Sequence, residues 1–345
     1  MIEIDGSYLE GGGAILRVAS ALSAVTGEPL RVCNIRAGRE NPGLRTQHLE
    51  GLKAIASLCS GSLKNAAMGS TEIELHPGKI EPRELFVEIS TAGSVGLLFQ
   101  SLKVPICKAD GDVTIHIKGG ATFAKWAPPL LTTKHVLLPV LSRIGYSAKT
   151  EIKRHGFYPV GGARVEITGH LCKEFKPLTL TEAGEVKELT GISVASEHLR
   201  KPRVAERMAE SARKIIETSG IKTKIETQYV DAQCPGCGIV LRSETSTGAI
   251  ISADVMGERG KPAETVGEEA ANSLLQTIES GAAVDRHLSD QLLIFMALAH
   301  GKSAITAPRL TNHAKTNIHV IQKFLPVEFR ITEGKPTLIE CAGLR

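Results

Sequence analysis

Apolar residues recur along the chain in two rhythms, and their alternation predicts a repeated order of elements. Residues 14–25 carry apolar positions at helical spacing, 30–35 alternate as a half-buried strand does, and 44–58 return to helical spacing. The order recurs from helix-like 95–104 through strand-like 113–117 to helix-like 129–144. It recurs again from 287–299 through 303–306 to 315–324. Pro128 and Pro129 suit a helix start and Pro326 a stop. Each copy sets a polar loop between its strand and its second helix, at 36–39, 118–121 and 307–313. If the copies pack around a common axis, these loops are equivalent positions. The repeat is one of pattern, not of residue identity.

Residues 182–280 depart from the scheme, with strand-like pieces at 191–195, 221–229, 239–243 and 249–255 and a helical one at 204–218. A smaller inserted α/β domain is the economical explanation. The expected fold is therefore α/β (α+β), with residues 1–181 and 281–345 forming a large domain of three repeated units.

Composition narrows the function. The 345 residues, 42% hydrophobic and 23% charged, are those of an ordinary globular protein. The N-terminus has neither the basic start nor the apolar stretch of a secretory signal, and the longest apolar run, 292–299, is too short to cross a bilayer. A cytoplasmic protein without membrane partners is expected. A net charge of +4 permits a polyanionic partner without demanding one. Aromatics at 4%, with Trp126 as the one tryptophan, argue against a protein that stacks base after base along a strand. If the partner is an RNA, the expected grip is on an end or the backbone rather than along a long sequence. The seven cysteines are scattered except for Cys234-Pro-Gly-Cys237, which lacks the further ligands of a zinc site. A turn is expected there, with a structural disulfide as an option.

Five segments can carry chemistry. Asp5-Gly-Ser-Tyr-Leu-Glu10-Gly-Gly-Gly13, followed by a helix bearing Arg17, either cradles a phosphate, with Glu10 holding a metal, or is a tight turn. The stretch from Asn34 to His48 sets Arg36, Arg39 and Arg45 after a strand. Their forked donors match phosphate oxygens, and a solvated basic loop is the competing reading. Ser90-Thr-Ala-Gly-Ser94 leads into a helix with Gln100, and it caps that helix or binds an anion. His287-Leu-Ser-Asp290-Gln291 opens an apolar helix: Ser289 and Asp290 are candidate caps, and Asp290 and Gln291 can also meet a ribose or a base edge. His313 falls just before, or in the first turn of, the final helix.

Together these segments resemble the RNA 3′-terminal phosphate cyclase family over essentially the whole chain. DGSYLEGGGAILR, NIRAGRENPGLRTQH, STAGSVGLLFQ, KGGATFAKWAPP, RHGFYPVGGAR, HLSDQLL and TNHAKTNI follow in the family's order. The departures are Ala163 in place of a third glycine, the CPGC stretch, and the residues after the second proline of APP. The resemblance implies three βαβαββ-like units, similar to those of enolpyruvyl transferases, plus an inserted domain. It implies ATP-dependent conversion of an RNA 3′-phosphate to a 2′,3′-cyclic phosphate, with release of AMP and pyrophosphate. On this basis His313 is the residue that becomes adenylylated. Gln100, His287, Leu288, Ser289, Asp290 and Gln291 contact ATP, and Pro128 packs against adenine. Glu10 binds Mg²⁺ or Mn²⁺, and Arg17, Arg36, Arg39 and Gln47 serve the phosphates or RNA. A helix start near His313 favours the neutral, nucleophilic imidazole. The sequence does not set the oligomeric state, a homodimer being one option.

Two other readings exist. One is a non-catalytic RNA-binding protein of the superfamily's ribosome-assembly branch, which lacks the nucleophilic histidine. The other is an enolpyruvyl transferase, to which no motif points.

Overall fold

The computed structural model describes residues 1–344. The chain opens with β1 (Ile2–Asp5), α1 (Gly13–Thr26), β2 (Leu30–Cys33), α2 (Thr46–Leu58), β3 (Ser62–Lys64) and β4 (Ile73–His76). Next come β5 (Glu84–Ser94), α3 (Val95–Leu102) and β6 (Val113–Ala121). A helix of two α-helical pieces, α4 (Leu130–Thr132) and α5 (Leu138–Ser142), is joined by a π-helical stretch and leads to β7 (Ser147–Arg154) and β8 (Arg164–His170). After β9 (Thr179–Leu180) the chain makes a long excursion. This holds β10 (Glu188–Ser196), α6 (Val204–Glu217), β11 (Lys222–Val230), β12 (Cys237–Glu244), β13 (Ile250–Met256) and α7 (Ala263–Glu279). It then resumes with α8 (Arg286–Leu298), β14 (Ser303–Ala307), α9 (Asn312–Phe324), β15 (Phe329–Thr332) and β16 (Thr337–Cys341).

Three four-stranded sheets share one strand order: β1-β2-β4-β3, β5-β6-β8-β7 and β9-β14-β16-β15. In each, the first pair is parallel and the others are antiparallel. A parallel pair needs a crossover, and α1, α3 and α8 lie within those crossovers. One continuous core joins the three sheets, through residues such as Leu22, Leu30, Phe99, Ile115, Phe295 and Ile339. The excursion forms the fourth sheet, β11-β10-β12-β13, with its own core of Met208, Ile225, Leu241, Ile251 and Leu274. A small cluster of Phe123, Phe157, Val194 and Val240 fills the seam. Where the excursion leaves and returns, the buried Thr306 hydroxyl donates to the Thr181 carbonyl (3.1 Å) and accepts from the Ala283 N–H (3.0 Å).

Several details differ from the sequence expectations. α7 was not anticipated: its buried stripe of Val266, Ala270 and Leu274 is mixed with Gly267, Ala271 and Thr277, and the helix as a whole is less apolar than α1 or α2. Residues 118–121 remain in β6, paired with β5 and β8, where a loop was expected. α8 is capped by Asp285, whose carboxylate accepts from the His287 and Leu288 N–H groups, and not by Ser289 or Asp290. Cys234 and Cys237 are free thiols, so no disulfide closes that turn: Cys234 Sγ donates to the Phe157 carbonyl. No helix among the described residues is long and apolar enough to cross a membrane.

α6 and α7 approach closely at Gly267, where a Cβ would lie 2.2 Å from the Met208 carbonyl oxygen. In an open helix, Gly→Ala gains about 1 kcal/mol. Here backbone must move, an overpacking cost of about 1–3 kcal/mol. Gly267→Ala is therefore expected to lower the chemical-denaturation midpoint, and a raised midpoint would show that the helices separate freely.

Candidate active site

The loop ahead of α1, α1 itself, the loop after β2, α2, α3, the connection before α4, and the starts of α8 and α9 carry the residues that the sequence picked out. Glu10 lies just ahead of α1, with a largely buried carboxylate. One oxygen meets the Arg39 guanidinium, and the other lies 2.5 Å from Nδ1 of His313. The two atoms are within hydrogen-bonding distance, although the contact is not well aligned. Burial alone would raise the Glu10 pKa; His313, Arg39 and Arg17 outweigh it and hold the group below its ordinary value.

Arg17 is half-buried one turn into α1, and its Nε donates to the Gln100 side-chain oxygen at 3.0 Å. Desolvation lowers its pKa to about 10, partly offset by Glu10. His48, in the first turn of α2, faces the start of α1: a Cβ on Gly13 would lie 2.4 Å from its Nε2 and 2.9 Å from Arg17 Nη1. A Cβ on Gly12 would meet Arg39 and Glu10 at 2.8 and 3.0 Å. The run of glycines thus makes room for the protein's own charged side chains. Burial, with Arg17, Arg36 and Arg45 nearby, depresses His48 to about 3, so it is neutral. No side chain caps α1, which leaves its first N–H groups open to an anion.

His313 is the second residue of α9, after the N-cap Thr311, and its side chain is 45% exposed. The Thr311 hydroxyl donates to Asp290 at 2.6 Å, and Asn317 donates to the Asp290 carbonyl at 2.9 Å, locking α9 onto α8. Burial lifts the Asp290 carboxyl to about 7, against the opposing pull of Thr311 and His313. His287 is depressed, chiefly by burial, with Arg286 and His313 adding to the effect and Asp285 opposing it.

The remaining candidates divide. Gln47 accepts from the Ser94 N–H at 2.5 Å and so fixes the start of α3. Pro128 sets its carbonyl against the same turn, 3.1 Å from where a Gly96 Cβ would be. Arg36 donates to the carbonyls of Asn41 and Gly43, each at 2.8 Å, and braces its own loop. The Leu288 and Ser289 side chains turn inward, Ser289 donating to the Arg286 carbonyl. His287, Leu288 and Gln291 border a cavity of about 270 Å³ whose walls include Asp254, Asp285 and Arg309.

Sequence reasoning passed over four groups. His48 stood inside a quoted segment but looked like one more helix residue. Asp254 is half-buried in the cavity wall, accepts from Thr132 at 2.9 Å and is raised to about 7, chiefly by desolvation. Lys103 is wholly buried, lowered to about 7, and donates to the Gln291 carbonyl at 3.1 Å. Asp285 carried a legible signal, an acidic residue directly before an apolar helix.

Asp290 supplies a pH test. An acid held up in the folded state keeps its proton where the unfolded chain has lost it. Its stabilising contribution is complete below pH 3.8 and is lost as pH rises to about 7. Asp290→Asn keeps the acceptor for Thr311 and cannot ionise. Urea titrations should find the variant gaining stability relative to the parent between about pH 4 and 7, then levelling; a pH-independent difference would place the carboxyl in a solvated setting.

Comparison with known proteins agrees with these segments. The family profile described as RNA 3′-terminal phosphate cyclase matches residues 8–331. An RNA 3′-terminal phosphate cyclase of Methanopyrus kandleri is 45% identical over 99% of this chain and 98% of its own. Proteins of the same name from Thermococcus kodakarensis and Caldivirga maquilingensis are 43% and 42% identical, over 97% and 94% of this chain and 96% and 93% of theirs. With likeness running through every helix start that builds the charged centre, the chain belongs to the RNA 3′-terminal phosphate cyclase family.

Proposed function

We propose that this protein uses ATP to convert an RNA 3′-terminal phosphate into a 2′,3′-cyclic phosphodiester, with His313 as the nucleophile. The observation that carries the reading is the seat of His313: a part-exposed imidazole in the first turn of α9, with Nδ1 against the Glu10 carboxylate. A carboxylate there favours the tautomer that keeps the proton on Nδ1 and leaves Nε2 as the free base.

Nε2 attacks the α-phosphorus of ATP, the bond to the bridging oxygen breaks, and pyrophosphate leaves. An oxygen of the RNA 3′-phosphate then attacks the same phosphorus, displacing His313 and forming an RNA-linked phosphoanhydride. The neighbouring 2′-hydroxyl attacks the 3′-phosphorus, loses its proton and expels AMP. A phosphate monoester repels nucleophiles through its own charge, and adenylylation supplies the leaving group it lacks. The last step is intramolecular, so positioning alone brings much of its rate.

Arg39, Arg17 and the uncapped start of α1 set positive potential where the phosphates would lie. Among the described residues no group of three or more His, Cys, Asp or Glu forms a cation cage. Glu10 nevertheless fits a divalent metal of the kind that arrives with a nucleotide: it offers a hard oxygen without an aligned partner. Mg²⁺ or Mn²⁺ held there with the triphosphate would offset phosphate charge. His287, Asp290 and Gln291, with Gln100 and Pro128, are proposed to receive ATP. We further infer that residues 182–280 are an inserted unit on a frame made of 1–181 and 281–345.

Incubation with α-³²P-labelled ATP and metal, followed by denaturation, tests the nucleophile. Label should remain on the parent and fall by more than about a thousandfold in His313→Ala; equal label in both would move the nucleophile elsewhere. RNA ending in a 2′-deoxy-3′-phosphate should accumulate as the adenylate without cyclising, and cyclic product from it would overturn the final step.

A further inference from the structure

Trp126, the one tryptophan in the chain, is 94% exposed. It lies on the connection from β6 to α4 with its backbone in the left-handed region, at φ +55°. The connection is closed by the Leu130 N–H donating to the Thr122 carbonyl at 2.8 Å. On the adjoining turn Tyr158 and Val160 are also exposed, and the Tyr158 N–H donates to the Phe123 carbonyl. Lys125 stands between the two rings, its Nζ 5.8 Å from the Trp126 centroid and 5.0 Å from that of Tyr158. Glu258 pairs with the same ammonium at 3.5 Å and ties the patch to the excursion.

The backbone beside this patch packs against elements that also carry the charged centre. Pro128, two residues on, packs against the first turn of α3, whose Gln100 holds Arg17. The turn carrying Tyr158 and Val160 continues into Gly161, where a Cβ would meet the Gly120 and Thr91 carbonyls at 2.8 and 3.0 Å. Thr91 belongs to the segment that Gln47 fixes at Ser94.

We propose that Trp126 and Tyr158, with Lys125 between them, form a stacking platform for the nucleobases just 5′ of the RNA's terminal phosphate. The proposal rests on the reading that RNA ends are the substrate. Every base has a π-face, so stacking grips an end without reading its sequence. An indole held almost wholly in water has an unused apolar face, and an ammonium beside two rings adds a charge that suits the backbone phosphates. A grip of this size also fits a chain poor in aromatics, which has enough for one or two bases.

Because Trp126 is the sole tryptophan, its emission reports on the platform directly. A short RNA with a 3′-phosphate, titrated into the full chain without ATP, should quench it saturably. Trp126→Ala should raise the KM for RNA about tenfold, within the range of base–aromatic stacking, with kcat little changed. The ATP-only labelling of His313 is the internal control and should keep its parent rate. Trp126→Phe should restore much of the affinity, which loss of a merely structural residue would not predict. An RNA abasic at the two positions before the terminal phosphate should show the weaker KM in the parent and no further loss in Trp126→Ala.

Unchanged emission at saturating RNA, or an unchanged KM in Trp126→Ala, overturns the platform. Quenching by ATP alone overturns it in favour of an adenine contact. Emission that follows protein concentration and ignores RNA overturns it in favour of self-association. RNA that quenches Trp126 yet is never cyclised supports the platform and defeats the reaction instead.

Discussion

A guanidinium drawn partly out of water needs partners from within the protein, and Arg17 sits at the middle of such a match. Its Nε is taken by Gln100 from α3, and Glu10 balances its charge from the loop ahead of α1. His48 from α2 stays uncharged beside it. Each neighbour comes from a different element, so satisfying one half-buried cation helps fix how α1, α2 and α3 meet. A charge drawn out of water loses more by losing a partner than a fully solvated one does. The same group that makes the centre electropositive thus also holds it in shape. Lys103 extends the pattern, linking the end of α3 to the Gln291 carbonyl in α8.

Glu10 works on both sides of this arrangement. It neutralises part of the Arg17 and Arg39 charge and faces His313 across the gap between the first and third sheets. A carboxylate alone in that burial would protonate readily; cations on two sides and an imidazole on a third keep it ionised. The centre is therefore assembled from the beginning and the end of the chain. Its geometry exists only once the core spanning all three sheets has formed.

Much of this could be read from the sequence, for definable reasons. Helices rich in large apolar residues, such as α1 and α2, were placed within one or two residues of their ends, and β14 and β6 were located by alternation. α7 escaped because much of its buried face is alanine, glycine and threonine, which leaves the helix less apolar on average than α1 or α2. His313, Glu10, Arg17, Arg39 and Gln100 stood out only together, through the likeness to a family, since a lone histidine or arginine carries no periodicity. What the sequence could not indicate was direction. Arg36 reads as a phosphate donor yet turns back to its own loop, and Ser289 reads as a cap or contact yet turns inward. The near-neutral acids Asp254 and Asp290 owe their state to burial, which depends on elements far apart in the chain.

The Thr306 hydroxyl, bonded to the backbone on both sides of the excursion, has a consequence for variation. Departure and return are stitched to one point of β14, so the ends of the intervening segment stay together whatever it contains. Closing a longer loop across a fixed gap costs only about 0.6 kcal/mol per doubling of length. Lineages can therefore trim, enlarge or replace that segment while the three-sheet frame is left undisturbed.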